Sequence, residues 1–159
     1  MIRRMKYYWA FFYISIALSC NMINKLPSQT PHTKLVKELL ASYGNAFYIS
    51  STHVSVSYVW SYSDKVTIYK VVKGKVVDTK EQPIMIAPNW LNQPSKAELY
   101  ELDTCMELDG DMFGFMLKKD DKVEQSDLPI SLDCFKGKKF KSDFLNGVVA
   151  DLNKYQIGW

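Results

Sequence analysis

The sequence has few of the residues that enzymes use for catalysis. It contains two histidines, His32 and His53, and neither lies in a metalloprotease motif or near a nucleophile elbow. Its seven glycines are scattered, and no Walker or dinucleotide-binding loop occurs. We therefore predict a non-enzymatic protein with no cofactor and no metal site.

The sequence also lacks a basic excess outside its N-terminal segment. It has 20 lysines and arginines against 17 acidic residues, but Arg3, Arg4 and Lys6 all precede residue 20. The rest of the chain is therefore close to neutral. Nucleic-acid-binding proteins usually carry a strong basic excess, with which they displace counterions from phosphates. We therefore predict no nucleic-acid partner.

The first 20 residues contain a long apolar run. Residues 1–6 are basic, and residues 7–20 carry no charge. A basic head before about 14 apolar residues is typical of an export signal, whereas a membrane-spanning helix needs about 20. We predict an export signal over residues 1–19. Residues 20–32, which are polar and contain two prolines, are predicted to be a tether.

The end of the apolar run resembles the cleavage site of a bacterial lipoprotein signal peptide. Ser19 and Cys20 match that family's pattern, and Ala17 and Leu18 fit it loosely. The resemblance covers residues 1–20 only. It implies that Cys20 is lipidated and that the protein is exported and anchored to a membrane, in the periplasm or at the cell surface. Ordinary cleavage nearby is the alternative.

Two cysteines remain if Cys20 carries a lipid. In an oxidising compartment Cys105 and Cys134 are then predicted to form a disulfide. It would close a loop of about 30 residues and contribute about 3–4 kcal/mol to stability. Two separate buried thiols are the alternative.

The hydrophobic periodicity of residues 33–159 predicts a single α+β domain. Apolar residues recur at helical spacing after Thr30 and again after Ser142, which predicts an N-terminal and a C-terminal helix. Alternation between them predicts an antiparallel sheet of about five to seven strands, with both helices on one face. The predicted strands are residues 54–62, 66–72, 76–80, 99–109 and 112–118, with a hairpin turn at Asp109-Gly110, one or two strands within 128–141, and a proline-rich loop or edge strand over 81–97.

A row of acidic residues is the strongest candidate for a binding surface. On a strand over residues 99–109 the acidic side chains would share one face. Such a face could attract a basic protein partner, or it could be a solvated outer face that the lysines of residues 136–141 balance. Trp90 is either an interface anchor or a clamp that holds its loop to the domain. The acidic candidates are Glu101, Asp103, Glu107 and Asp109.

Together these features favour an exported, lipid-anchored protein that binds and blocks another protein, as an inhibitor or immunity-type factor does. A small-ligand carrier is the alternative, and it requires an apolar cavity between sheet and helices. A hydrolase is a third hypothesis. It requires His53 in a cleft, hydrogen-bonded to a carboxylate.

Overall fold

A computed structural model describes residues 30–84, 86–119 and 122–159. The predicted export signal, Cys20 and most of the tether lie outside the described residues. The chain forms one six-stranded antiparallel sheet with helices, which confirms the α+β class. The strand order is β4-β3-β2-β1-β5-β6. The helices are α1 (Pro31–Ala41), α2 (Lys96–Leu99), a 3-10 helix (Tyr100–Cys105), α3 (Leu132–Gly137) and α4 (Asp143–Lys154). The strands are β1 (Asn45–Ser50), β2 (Val56–Tyr62), β3 (Lys65–Val72), β4 (Lys75–Pro83), β5 (Met106–Lys119) and β6 (Lys122–Ile130).

The two long helices begin at the predicted caps. The Thr30 hydroxyl accepts a hydrogen bond from the Thr33 N–H at 3.2 Å, and the Ser142 hydroxyl accepts one from the Leu145 N–H at 3.2 Å. Each cap satisfies a backbone donor that has no partner within its own helix. The helix α1 already includes His32, so the fold begins earlier than the predicted tether boundary.

The prediction that both helices pack on one face of the sheet is wrong. Helix α4 covers the face that carries Phe47 and Ile49, whereas α1 covers the face that carries Ala46 and Tyr48. These four residues alternate along β1, and all of them are buried. A strand that is apolar on both faces needs cover on both sides, so the sheet lies between two helical layers.

A helical segment replaces most of the predicted strand over residues 99–109. Ser95 and Glu98 form a capping box, in which the Glu98 carboxylate accepts from the Ser95 N–H at 2.8 Å. This cap starts α2, and the 3-10 helix continues the turn to Cys105. The predicted strand is therefore wrong up to that residue.

The predicted hairpin at Asp109-Gly110 is also wrong, because β5 continues through it to Lys119. Met106 and Asp111 both lie opposite Ile130 of β6. The four residues 107–110 therefore have no partner in the β5–β6 ladder and form a bulge, here called the β5 bulge.

The region around Cys134 is helical, not extended as predicted. Leu132 and Phe135, one helical turn apart, are buried in α3. The sulfurs of Cys105 and Cys134 lie at bonding distance, 1.94 Å, which confirms the predicted pairing. This pair links the end of the 3-10 helix to α3. No helix in the described ranges is long and apolar enough to cross a membrane.

Candidate functional site

An open pocket of about 290 Å³ lies beside the β5 bulge. Its wall combines the loop between β1 and β2, the start of β5, helix α3 and the residues that follow α4. The indole of Trp159, half exposed, forms part of the wall. The charged and titratable residues that line it are His53, Glu107, Asp109, Asp111, Asp133 and Lys136.

The pocket carries a net negative charge, since four carboxylates face one lysine and one histidine. The Lys136 ammonium donates to the carbonyl of Ile157 at 3.1 Å. Within the ranges that the structure describes, none of the four carboxylates forms an ion pair. Asp111 is 9% exposed. Its burial raises the pKa of its carboxyl group, while the Ser51 hydroxyl and His53 oppose that shift.

The β5 bulge is fastened at both ends. The Thr52 hydroxyl lies 3.2 Å and 3.1 Å from the carbonyl oxygens of Asp109 and Gly110. Gly110 lies directly against the backbone of Ile130, where a Cβ would have no space. The Cys105 disulfide precedes the bulge. The conformation of this surface loop is therefore fixed by contacts outside it.

The four acidic candidates do not form one row. Glu107 and Asp109 line the pocket, whereas Glu101 and Asp103 lie on the 3-10 helix. The Glu101 carboxylate accepts from the backbone N–H of Lys141 at 2.7 Å. The two pairs separate because the chain changes from helix to strand at Cys105.

The lysines of residues 136–141 lie near the 3-10 helix, as the disulfide requires. The Lys138 ammonium contacts the Thr104 hydroxyl, and Lys136 lines the pocket. In the described part of the chain these lysines form no ion pair with the acidic candidates. The lysine side chains therefore do not neutralise the acidic candidates through direct ion pairs.

Trp90 lies against the core. Its ring centroid is 5.8 Å from those of Phe47 and Tyr62 and 6.3 Å from that of Phe144. The indole also covers Gly147 of α4, where a Cβ would collide with it. Trp90 therefore fastens the loop between β4 and α2 to the domain, as the clamp interpretation of this residue predicted.

His53 is exposed and lines the pocket. Its backbone N–H donates to the Ser51 hydroxyl at 3.2 Å. Among the described residues its imidazole makes no hydrogen bond with a carboxylate, so the geometry that the hydrolase hypothesis requires is not formed. The same residues contain no group of three or more histidine, cysteine, aspartate or glutamate side chains arranged to hold a metal ion.

A histidine–serine pair, which the sequence analysis missed, lies between α1 and the sheet. His32 Nε2 is 2.7 Å from the Ser57 hydroxyl, and His32 Nδ1 accepts from the Gly74 N–H at 3.0 Å. Because Nδ1 accepts, neutral His32 carries its proton on Nε2 and donates to Ser57, which donates to Ser50 at 2.6 Å. A general base would instead accept the proton of the serine hydroxyl. Ser57 is also fully buried. The pair is therefore a structural contact.

The sequence analysis also missed Asp111, Asp133 and Lys136 as parts of one site. They come from β5 and α3, and the disulfide and the β5–β6 ladder bring these elements together. Only the predicted cysteine pairing could have indicated that residues near 105 and 134 are neighbours.

No protein-family model matches the chain, and neither a curated protein nor a solved structure matches it.

Proposed function

We propose that this chain is an exported, lipid-anchored, non-enzymatic protein that binds a basic protein partner and blocks it. The observation that carries the proposal is the acidic pocket, with Glu107 and Asp109 on the bulge at its side. In the described residues these carboxylates form no ion pair, and such an acidic surface attracts a basic one and speeds its association.

The interior of the domain favours this proposal over a small-ligand carrier. A carrier needs an apolar cavity between sheet and helices, but large side chains fill the space beneath α4. Phe47, Trp60, Phe113 and Phe115 are completely buried there, and the Phe113 and Phe135 ring centroids are 5.2 Å apart. The space between the sheet and α4 is therefore filled, and this supports binding through the surface rather than in a cavity beneath α4.

Two features support export and anchoring. The first is the resemblance of residues 1–20 to a lipoprotein signal, and the second is the cysteine pair at bonding distance, since structural disulfides persist mainly in oxidising compartments. The test is the mass of the mature N-terminal peptide from expressing cells. A lipid on Cys20, absent from Cys20→Ser, supports the anchor, and an unmodified Cys20 contradicts it.

Partner binding is tested by capture under non-reducing conditions. All described helices and strands lie within residues 30–159, so a chain that starts at residue 21, tagged at its N-terminus, carries the site. We expect a saturable, stoichiometric protein partner that salt releases. The double reversal Glu107→Lys, Asp109→Lys should slow its association.

Asp78→Lys on β4, at the opposite edge of the sheet from β6, is the matched control for each single reversal, Glu107→Lys or Asp109→Lys. It makes the same kind of charge change away from the pocket and should leave the association rate nearly unchanged. Equal rates for wild type and the double variant would contradict the role of the pocket. Failure to capture any saturable partner would contradict the function itself.

A further inference from the structure

Leu108 lies in the β5 bulge and is 96% exposed, more than any other large apolar side chain in the described ranges. A single exposed leucine needs no explanation. Leu108, however, follows Met106, which is 47% exposed, and stands between two residues of the pocket that Trp159 also lines. Two exposed apolar side chains, Met106 and Leu108, therefore stand two residues apart in the chain beside residues of the pocket.

The backbone that carries Leu108 is held on both sides. Two carbonyl oxygens after Leu108 in the chain lie within hydrogen-bond distance of the Thr52 hydroxyl, and the disulfide of Cys105 lies just before it. A loop that is already ordered loses less conformational entropy on binding than a flexible loop does. A preordered apolar tip is the arrangement expected of an interface anchor.

The charges beside Leu108 define what can cover it. Glu107 and Asp109 flank it in the chain, and both line the acidic pocket. A surface large enough to bury Leu108 comes close to these carboxylates, because they belong to the residues directly before and after it in the chain. An anionic membrane surface would be repelled by them, whereas lysine or arginine side chains around an apolar socket would complement them.

We propose that Leu108 is the anchor of the interface, and that the partner takes it into an apolar socket rimmed by lysine or arginine. This inference rests on the proposed function and deepens it. The apolar contact governs how long the complex lasts, while the acidic residues govern how fast it forms.

The experiment compares the kinetics of the captured partner with wild type, Leu108→Ser and Leu108→Met. Loss of a buried leucine should speed dissociation of Leu108→Ser by about 10- to 100-fold, with the association rate unchanged. Leu108→Met should restore most of the wild-type lifetime, because methionine fills a similar volume. Val123→Ser is the matched control, since Val123 is 57% exposed on β6, and it should leave dissociation unchanged.

The outcomes separate the two proposals. If the captured partner dissociates from Leu108→Ser at the wild-type rate, Leu108 is not the anchor, while the proposed function stands. If wild type captures no saturable partner, or only a second copy of this chain, both proposals fail. A photo-crosslinker at position 108 identifies the contacted segment: an apolar segment with basic neighbours supports the socket, and an acidic or wholly polar segment overturns it.

Discussion

The indole N–H of Trp60 donates to Asp151 Oδ2, 3.0 Å away, in the interior between the sheet and α4. The Tyr62 hydroxyl donates to the same oxygen at 2.6 Å. Asp151 is 5% exposed, and its burial raises the pKa of its carboxyl group to about 6, against the opposing effect of these two hydrogen bonds. One carboxylate thus joins the C-terminal helix to the central part of the sheet.

This pKa predicts a specific dependence of stability on pH. The folded state holds the Asp151 proton up to pH of about 6, whereas the unfolded chain releases it near 3.8. The unfolding free energy should therefore decrease as pH rises between these values, by an amount on the order of 2–3 kcal/mol. Urea denaturation across this range measures it. Asp151→Asn should remove this component, and an unchanged slope in that variant would show that another group is responsible.

Removal of the Asp151 acceptor should be more damaging than removal of its charge. Both donors bond one oxygen, which the amide oxygen of Asp151→Asn can replace, so we expect a small change in stability at low pH. Asp151→Leu leaves the Trp60 and Tyr62 donors buried without an acceptor, and we expect a loss of about 2–5 kcal/mol. Thermal unfolding of the two variants compares them directly. Similar losses would mean that packing, and not hydrogen bonding, sets the requirement at this position.

The contact between His32 and Gly74 should weaken in acid. Burial lowers the pKa of His32 below its usual 6.5. The neutral ring accepts the Gly74 N–H at Nδ1, and a protonated ring has no acceptor there. From β2 the ring contacts the Ser57 hydroxyl, which in turn bonds Ser50 of β1, and Lys73 and Lys75 flank Gly74 in the chain. The stabilisation is therefore complete above pH 6.5 and is lost as pH falls through the lowered pKa.

Hydrogen exchange of the Gly74 amide measures this change. We expect its protection factor to fall with acidification in wild type and to stay level in His32→Phe, which does not titrate. Amides in the middle of β2 serve as the internal reference. Constant protection of Gly74 in wild type would show that protonation leaves the contact intact.

The cysteine pair should make a large contribution to stability. Cys105 and Cys134 are 29 residues apart in sequence, so their bond restricts the unfolded chain substantially. Replacement of both by serine should lower the unfolding free energy by about 3–4 kcal/mol, as measured by urea denaturation. Cys20→Ser is the control and should leave the value unchanged. A reducing agent should affect wild type and not the double variant; an effect on both would point to a different cause.

Gly147 should resist substitution because of Trp90. A methyl group at this position would enter the indole ring, so Gly147→Ala should destabilise the domain by about 1–3 kcal/mol through overpacking. It should also shift the tryptophan fluorescence as the loop detaches. Gly137→Ala is the control, since a Cβ at Gly137 meets nothing within 4 Å. Equal effects of the two substitutions would indicate a general response to lost backbone freedom.

The parts of the fold that the sequence predicted are those with local signals. The caps at Thr30 and Ser142 act within one turn, and β2 to β4 are near-neighbours joined by short connections, so their bounds agree with the structure to within a few residues. Strand β1 was missed because it is buried on both faces and therefore shows no alternation. The same burial is the reason that the helices lie on opposite faces, which neither helix could indicate alone.

The candidate site was less predictable, because it depends on distant segments. An alternating pattern over residues 99–109 suited a strand, but the capping box of Ser95 and Glu98 started a helix just upstream. The capping box was present in the sequence, and the helix that it starts prevailed over the strand that the alternating pattern predicted. The position of Leu108 follows from the register of Met106 and Asp111 against Ile130, and pairing across strands is not encoded by either segment alone.

The start of α1 lies at the same end of the sheet as the acidic pocket. His32 contacts Ser57 there, and His53 of the adjoining loop lines the pocket. Cys20 and Thr30 are ten positions apart in the sequence, and an extended chain of that length reaches about 35 Å at most. If Cys20 carries the proposed lipid, the start of α1, and with it this end of the sheet, cannot lie farther than about 35 Å from the membrane surface.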